Sequence, residues 1–372
     1  MKIIIAPDSY KGALRAGKAA EALAAGWKMI RPADEVITIG LSDGGEGMAE
    51  SLALARNGKF VTVPTVDALM RPVNAKAVLL EKCAVLETAE ANGIERLTKA
   101  ELDPLKATTY GVGVMMKFLL DSGCREFITG IGGSATTDGG AGMMQALGAK
   151  FFDAENRELP PGIGGGAVGK TAYADLSQLD ARLADCTIVT ACDVTNPLCG
   201  PTGSAAVFAP QKGATPEIVK LLDENLAHFA ALFGDDGSHP GDGAAGGLGF
   251  ALRKLLNGKL VSGAELILKE SGFDEAIKDA ALIITGEGCS DEQTAYGKLC
   301  SVVAAHGKKY GVPTILVSGA LKGNTDTLES CFAGCYSIGK GPGSLEDAIA
   351  ATEENLRRMG RNLAHTLSFT NP

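Results

Sequence analysis

An α/β fold in two domains is the architecture this sequence predicts, and three features carry that expectation. Short apolar, β-branched runs end repeatedly in glycine-rich loops that open into Ala-rich helical stretches, the rhythm of strands laid side by side in a parallel sheet. Between Phe60 and Thr88 that rhythm gives way to period-two alternation, which reads as an antiparallel meander. The chain also has 372 residues, more than one ordinary core accommodates. The expected division is a discontinuous domain of residues 1–65 and 255–372, with a second α/β domain of residues 66–254 set into it.

Taken in order, Lys2 to Ala6 is a first strand that stops at Pro7-Asp8-Ser9-Tyr10-Lys11-Gly12. Ligands of open α/β sheets gather at the carboxyl ends of strands, so Asp8, Ser9 and Lys11 stand where a site is expected. Arg15 to Ile30 reads as a helix whose Trp27 covers the sheet. Val36 to Ile39 is a second strand, followed by Ser42-Asp43-Gly44-Gly45-Glu46-Gly47. There Asp43 and Glu46 serve a metal, a substrate or the loop's own hydrogen bonds. Phe60–Val66, Val73–Leu80 and Ala84–Thr88 form the meander, and Leu105 to Ser122 a helix.

The chain is organised around residues 126–149. Phe127, Ile128 and Thr129 form a buried strand, Gly130 to Gly140 a loop containing Ser134, Thr136, Thr137 and Asp138, and Ala141 to Leu147 a helix closed by Gly148. Strand, glycine loop and helix start turn backbone N–H groups toward an anion. The hydroxyls add donors, and Asp138 either holds Mg²⁺ or caps the helix. The plainer alternative is a tight strand-to-helix turn.

Further on, Gly164 to Thr171 matches the GxxxxGK[ST] phosphate-loop pattern letter for letter, but no strand precedes it and no helical face follows, so the match reads as coincidence. Thr187–Ala191 is a strand ending at Asp193 and Asn196, a sensible pair for accepting a hydroxyl proton and orienting a substrate or metal. Lys212 precedes a helix from Pro216 to Phe233 and is either a phosphate contact or a solvated lysine. Gly241 to Gly249 is a second glycine-dense turn. Leu282–Thr285 is a strand opening into Gly286-Glu287-Gly288-Cys289-Ser290-Asp291, with Lys298 beyond. Thr314–Val317 and Tyr336–Ile338 are strands, and Leu345–Thr366 is the terminal helix.

Several function classes are excluded or disfavoured. The net charge is −9 with no basic cluster, which argues against a nucleic-acid partner. The first residues are too short in apolar length for a signal peptide, and no window is long enough to cross a bilayer. Nine scattered cysteines without paired CxxC spacing suit reduced thiols in the cytoplasm. None of the four histidines has a partner at ligand spacing, which disfavours a His-based metal site or triad.

The loops at 6–12, 42–47, 130–142, 192–198, 211–214, 243–247 and 286–298 together resemble the class I glycerate kinases, in order and over essentially the whole chain. The resemblance implies a Rossmann/flavodoxin-like parallel-sheet domain and an inserted mixed-sheet domain, with the active site in the cleft between them. It also implies ATP-dependent phosphorylation of D-glycerate at the C2 hydroxyl, giving 2-phosphoglycerate, with Mg²⁺ as cofactor. One departure is that Cys289 and Ser290 stand where relatives commonly carry Arg and an aliphatic residue.

On that footing Asp193 is the expected general base, with Asp43 and Lys11 beside it in catalysis. Asp8, Ser9, Arg71, Gly133, Ser134 and Asn196 are expected on the substrate. Thr137, Lys212, Glu287, Asp291 and Lys298 are expected on the nucleotide, and Asp43, Glu46 and Asp291 on Mg²⁺. The expected partners are D-glycerate and ATP, with no membrane and a monomeric or homodimeric state. Two rivals stay open: a NAD-type oxidoreductase, since Gly130 to Ala135 fits GxGxxA with Asp153 downstream, and a non-catalytic anion-binding protein.

Overall fold

The computed structural model describes residues 1–42, 44–45 and 47–368. Asp43 and Glu46 lie outside the described residues. The first strands are β1 (Lys2–Ile5), β2 (Glu35–Thr38), β3 (Lys59–Val66), β4 (Pro72–Leu80) and β5 (Cys83–Glu87). They are followed by β6 (Glu126–Gly130), β7 (Lys150–Phe152), β8 (Tyr173–Asp175), β9 (Thr187–Ala191) and β10 (Lys259–Val261). The last are β11 (Leu282–Ser290), β12 (Thr314–Leu321) and β13 (Gly334–Ser337). Two compact units result. The first comprises Met1–Asp43, Glu50–Arg56 and Ala264–Pro372, the second Gly44–Ala49 and Asn57–Gly263.

The first unit holds a five-stranded, all-parallel sheet in the order β13-β12-β11-β1-β2. Ile3, Ile4, Ile5, Ile283, Ile284, Leu316 and Val317 are all buried, because helices cover both faces and the strands can be apolar throughout. Trp27, on the helix Ala16–Lys28, is fully buried against Ile3 and Ile5 as expected. The helix Thr352–Ser368 runs against the same helix backbone to backbone. A Cβ at Gly26 would lie 1.9 Å from the Arg357 carbonyl, and one at Gly360 2.1 Å from that of Leu23. The expected single terminal helix is broken at Ala351 into Leu345–Ala350 and Thr352–Ser368.

One strand is longer than its sequence suggests. β11 does not open into a loop at Gly286 but continues to Ser290, still in parallel register with β12. Its glycines serve close approach rather than a turn. A Cβ at Gly286 would sit 1.9 Å from the Val317 carbonyl and 2.6 Å from the Tyr10 hydroxyl. β12 lengthens with it to Leu321.

The second unit holds a six-stranded mixed sheet, β10-β9-β6-β5-β4-β3. β3, β4 and β5 are antiparallel, as the period-two pattern predicts. β5, β6, β9 and β10 then pair in parallel, so the βαβ rhythm resumes one strand earlier than the alternation suggests. β3 pairs with β4 along its whole length, which draws the chain into this unit from Asn57 onward. β7 and β8 form a separate two-stranded sheet. The helix expected from Leu105 starts at Tyr110, because Asp103 folds the preceding residues into a turn, its carbonyl accepting from Lys106 and Ala107.

Candidate active site

In the first unit the chain leaves β1 toward β2 on one side and returns as β11 on the other. The loops after β1 and β11 therefore diverge, and the crevice at such a reversal is where open α/β sheets bind ligands. Asp8 donates its backbone N–H to the Gly286 carbonyl at 2.8 Å, and its carboxylate accepts from Ser9 N at 2.6 Å. Buried Tyr10 anchors the loop, its hydroxyl donating to the Val317 carbonyl at 2.6 Å. Burial pushes the Tyr10 phenol up, with Cys300 and then the carboxylates of Glu287 and Asp8 adding to it. The structure thus brings Asp8 and Glu287 to the same strand ends.

Glu287 accepts from Ser290 Oγ at 2.8 Å and Thr294 Oγ1 at 2.7 Å, and Ser290 is buried against the Ser318 hydroxyl at 2.6 Å. Ser290 and Thr294 together orient Glu287, while Cys289 is exposed. Asp291 caps the short helix Glu292–Ala295 through a capping box with Thr294. Lys298 lies 3.7 Å from the Asp291 carboxylate, both side chains 44% exposed, and immediately precedes the helix Leu299–Lys309. Lys11 is exposed and Ser9 half-buried.

The second unit treats its glycine loop differently. Gly132 and Gly133 are exposed, Gly133 with φ of 71°, whereas Ser134, Thr136, Thr137 and Asp138 are buried. Ser134 Oγ lies 2.8 Å from Thr136 Oγ1, which accepts from Asn92 Nδ2 at 3.2 Å. Thr137 Oγ1 is buried with no hydrogen-bond partner among the described residues. Asp138 accepts from Thr109 N and Oγ1, both at 2.8 Å, and from Gly140 N and Gly142 N. Burial pushes its carboxyl up against these donors. Gly140 is the N-cap of the helix Ala141–Ala146, and Asp138, two residues before it, takes the first-turn Gly142 N–H at 3.2 Å.

Lys212 is not the solvated lysine that was one of its two readings. It is 2% exposed, and its Nζ donates to the Thr136 carbonyl at 2.6 Å. Burial lowers its pKa to about 7, opposed by the Asp138 charge. A third segment closes on the same carbonyl. Ala245, Gly246 and Gly247 all have positive φ, and a Cβ at Gly246 would lie 1.9 Å from Thr136 O. Three successive left-handed residues, one of them an alanine, hold conformational strain that only over-determined surroundings sustain. The phosphate-loop look-alike supplies packing here: a Cβ at Gly165 would meet the Thr137 carbonyl at 2.4 Å, and no strand leads into its helix Gly165–Val168.

Asp193, just past β9, is exposed and accepts from Gly263 N at 2.8 Å. Asn196 Nδ2 donates to the Thr202 carbonyl, and the Asn196 carbonyl accepts from Gly241 N and Gly243 N. Arg71 is engaged within its hairpin turn, its guanidinium donating to Asp67 and Glu101. Asp153, the acid an oxidoreductase fingerprint needs, lies past β7 in the separate two-stranded sheet, its carboxylate accepting from Glu155 N, Arg157 N and Arg157 Nε.

Glu87, at the carboxyl end of β5, was not among the sequence-predicted site residues. Its carboxylate accepts from Ala49 N at 3.0 Å, with the Gly47 and Met48 amides beside it. Burial pushes it up; the Ala49 bond pulls it down, Glu90 raises it, and the Gly47 and Met48 bonds lower it again. An acidic residue closing a strand beside a glycine loop was the available signal.

The family model for the glycerate kinase family matches residues 3–368. The chain belongs to the glycerate kinase family. Within it, this chain is similar to the glycerate kinase of Bacillus subtilis (strain 168), 41% identical over 99% of this chain and 98% of that one. It is equally similar to the glycerate 2-kinase of Escherichia coli (strain K12), 41% identical over 99% and 98%. A crystal structure carrying the name glycerate kinase 2, from Salmonella typhimurium LT2, superposes with a TM-score of 0.90 at 41% identity, covering 100% of this chain and 99% of that chain. Among the described residues of this family member no three His, Cys, Asp or Glu side chains come together to hold a metal. Asp43 and Glu46, two of the three expected ligands, lie outside the described residues. No helix among the described residues is long and apolar enough to cross a membrane.

Proposed function

We propose that this chain transfers the terminal phosphoryl group of ATP to D-glycerate, at the C2 hydroxyl, releasing ADP and 2-phosphoglycerate. Membership of the glycerate kinase family carries the reaction class, and the relative named glycerate 2-kinase supports the C2 position. The observation that carries the mechanism is Asp193, an exposed carboxylate held by Gly263 N at the carboxyl edge of its sheet. As the hydroxyl oxygen bonds to the γ-phosphorus, the bond to the ADP oxygen breaks and the hydroxyl proton passes to Asp193. Catalysis of this kind rests on positioning and charge stabilisation more than on covalent chemistry.

The backbone N–H groups at Gly132 and Gly133 are the proposed anion donors of the second unit, supported by their exposure. In the first unit Asp8, Ser9 and Lys11 are assigned to glycerate, and Glu287 and Lys298 to the nucleotide. When bound, Mg²⁺ would neutralise phosphate charge. Asp43 and Glu46 are its candidates from sequence alone, Asp291 is engaged as a helix cap, and no step here is routed through the ion. A coupled ADP-release assay with ATP and D-glycerate, with phosphorus NMR of the product, tests the reading. The expected product is the 2-phosphate; the 3-phosphate would overturn the C2 assignment. Asp193→Asn should lower kcat by about 100-fold or more with the fold intact, and near-normal turnover would remove Asp193 from the base role.

A further inference from the structure

Gly44, Gly45 and the residues Gly47–Ala49 lie across the carboxyl ends of the second unit's parallel strands, and the close approaches show how tightly they are laid there. A Cβ at Gly44 would lie 2.7 Å from Ala191 Cβ, at the end of β9, and 2.9 Å from Gly263 Cα. A Cβ at Gly130, the end of β6, would lie 2.9 Å from both the Gly44 carbonyl and the Met48 methyl. Gly132, on the exposed tip of the glycine loop, faces Gly45 in the same way at 3.5 Å. Gly263, one of the residues Gly44 presses on, is also the donor that holds the Asp193 carboxylate. The segment is thus built into the same edge as the proposed base and the proposed anion donors.

Shape alone does not fix a glycine-rich segment, since Gly47, with φ of 91°, and its neighbours have ample alternative conformations. Something must gather its backbone, and one side chain does. Glu87 stands opposite Gly130 in the β5–β6 register, and its carboxylate accepts from Ala49 N at 3.0 Å, with the Gly47 and Met48 amides beside it. Ala49 lies in the first turn of the helix Met48–Ala55, where a negative charge satisfies unpaired N–H groups best.

We propose that Glu87 is a positioning residue that pins Gly47–Ala49, and through them Gly44 and Gly45, across the ends of β6 and β9, in register with Asp193 and the Gly132–Gly133 tip. It touches no reactant and acts through the backbone it holds. The catalytic half of this inference rests on the kinase reading above; the anchoring half does not.

The test compares Glu87→Gln and Glu87→Ala with the unaltered chain by hydrogen-exchange mass spectrometry, steady-state kinetics with ATP and D-glycerate, and thermal unfolding. Glutamine keeps one carbonyl acceptor in the same place and loses the charge, so it also guards against a variant that fails to fold. Amide exchange in the peptide covering residues 44–55 should rise about tenfold or more in Glu87→Ala and by less in Glu87→Gln. In the same order kcat should fall, by ~100-fold in the alanine variant, as a displaced catalytic frame allows, with the KM for ATP within about threefold of the unaltered value.

Unchanged exchange across residues 44–55 in Glu87→Ala would overturn the anchoring role. Rates that fall only in proportion to the folded fraction would overturn the positioning role. If the unaltered chain does not phosphorylate glycerate, the kinase reading fails while the exchange comparison still decides whether Glu87 anchors the segment.

Discussion

Two loop clusters in this chain share a composition of glycine, hydroxyl and acidic residues, and they use it in opposite ways. Around Gly130–Gly142 the side chains turn inward: Ser134, Thr136, Thr137 and Asp138 are buried, and only the backbone at Gly132 and Gly133 faces out. At the ends of β1 and β11, Asp8, Lys11, Asp291 and Lys298 stay partly or fully accessible, and the backbone beneath them is tied down by Tyr10 and Ser290. A loop that holds an anion by its backbone spends its side chains on its own rigidity. A loop that meets a ligand with charge must leave those charges in reach of solvent.

The contrast is broken most forcefully with a single methyl group. Gly246→Ala would place Cβ 1.9 Å from the Thr136 carbonyl at a φ of +74°, so both the clash and the left-handed backbone count against it. A loss of at least ~3 kcal/mol is expected, with soluble yield and Tm as the measurements. Gly297→Ala in the first unit has φ of +79° but nothing within 4 Å. It should cost only about 1 kcal/mol. Equal losses at the two positions would deny that the glycine loop is the more tightly determined of the two.

Lys212 tests the inward-facing cluster by charge. Its pKa sits at about 7 in the folded chain, against 10.5 for an ordinary lysine. Between those values the unfolded chain holds one proton more, so stability should rise with pH from 7 toward 10.5. Below 7 both states are charged, and the cost of burying the ammonium is at its full value. Lys212→Met removes both the charge and the slope, so its stability should stay flat over that range, with turnover reduced because Thr136 loses its anchor. Parallel stability-versus-pH curves for the two proteins would refute this assignment.

Ala245, beside it, carries a smaller strain. Its φ of 52° within a left-handed run costs an alanine roughly 1 kcal/mol more than a glycine. Ala245→Gly should therefore raise Tm slightly, by less than the full amount because glycine gains freedom in the unfolded chain. A fall in Tm would mean that the alanine methyl packs favourably enough to offset its backbone.

Much of the fold was legible, because periodicity and turn residues report local geometry. The β1 run, the Trp27 helix and the period-two hairpin all express a pattern within one element. What stayed hidden was long-range. Gly286 and Gly288 look like the opening of a loop, yet they are strand positions where Val317 and the Tyr10 segment press close, and no local pattern distinguishes the two uses of glycine. The burial of Lys212 was hidden because nothing nearby in sequence shows that Thr136 and Asp138 enclose it. Glu87 escaped notice for the same reason, since its donors lie 38 to 40 positions earlier in the chain. Arg71 drew attention as a cation, while the Asp67 and Glu101 carboxylates that engage it are visible only in three dimensions.

The smallest expected change in stability is the sharpest test of the outward-facing cluster. Lys298 and Asp291 stand 3.7 Å apart with both side chains 44% exposed, a separation and exposure at which an ion pair contributes little to folding. Lys298→Ala should therefore leave stability within about 0.5 kcal/mol of the unaltered chain. If the charge is there for the nucleotide, the KM for ATP should rise by about tenfold, the loss expected when one charge-assisted contact to phosphate is removed. The KM for D-glycerate should stay where it was. This is the reverse of Gly246→Ala, which should act on folding first. A Lys298→Ala protein with lowered Tm and unchanged KM for ATP would put Lys298 among the structural residues, and the distinction between a loop that rigidifies itself and a loop that presents charge would no longer divide the molecule as proposed.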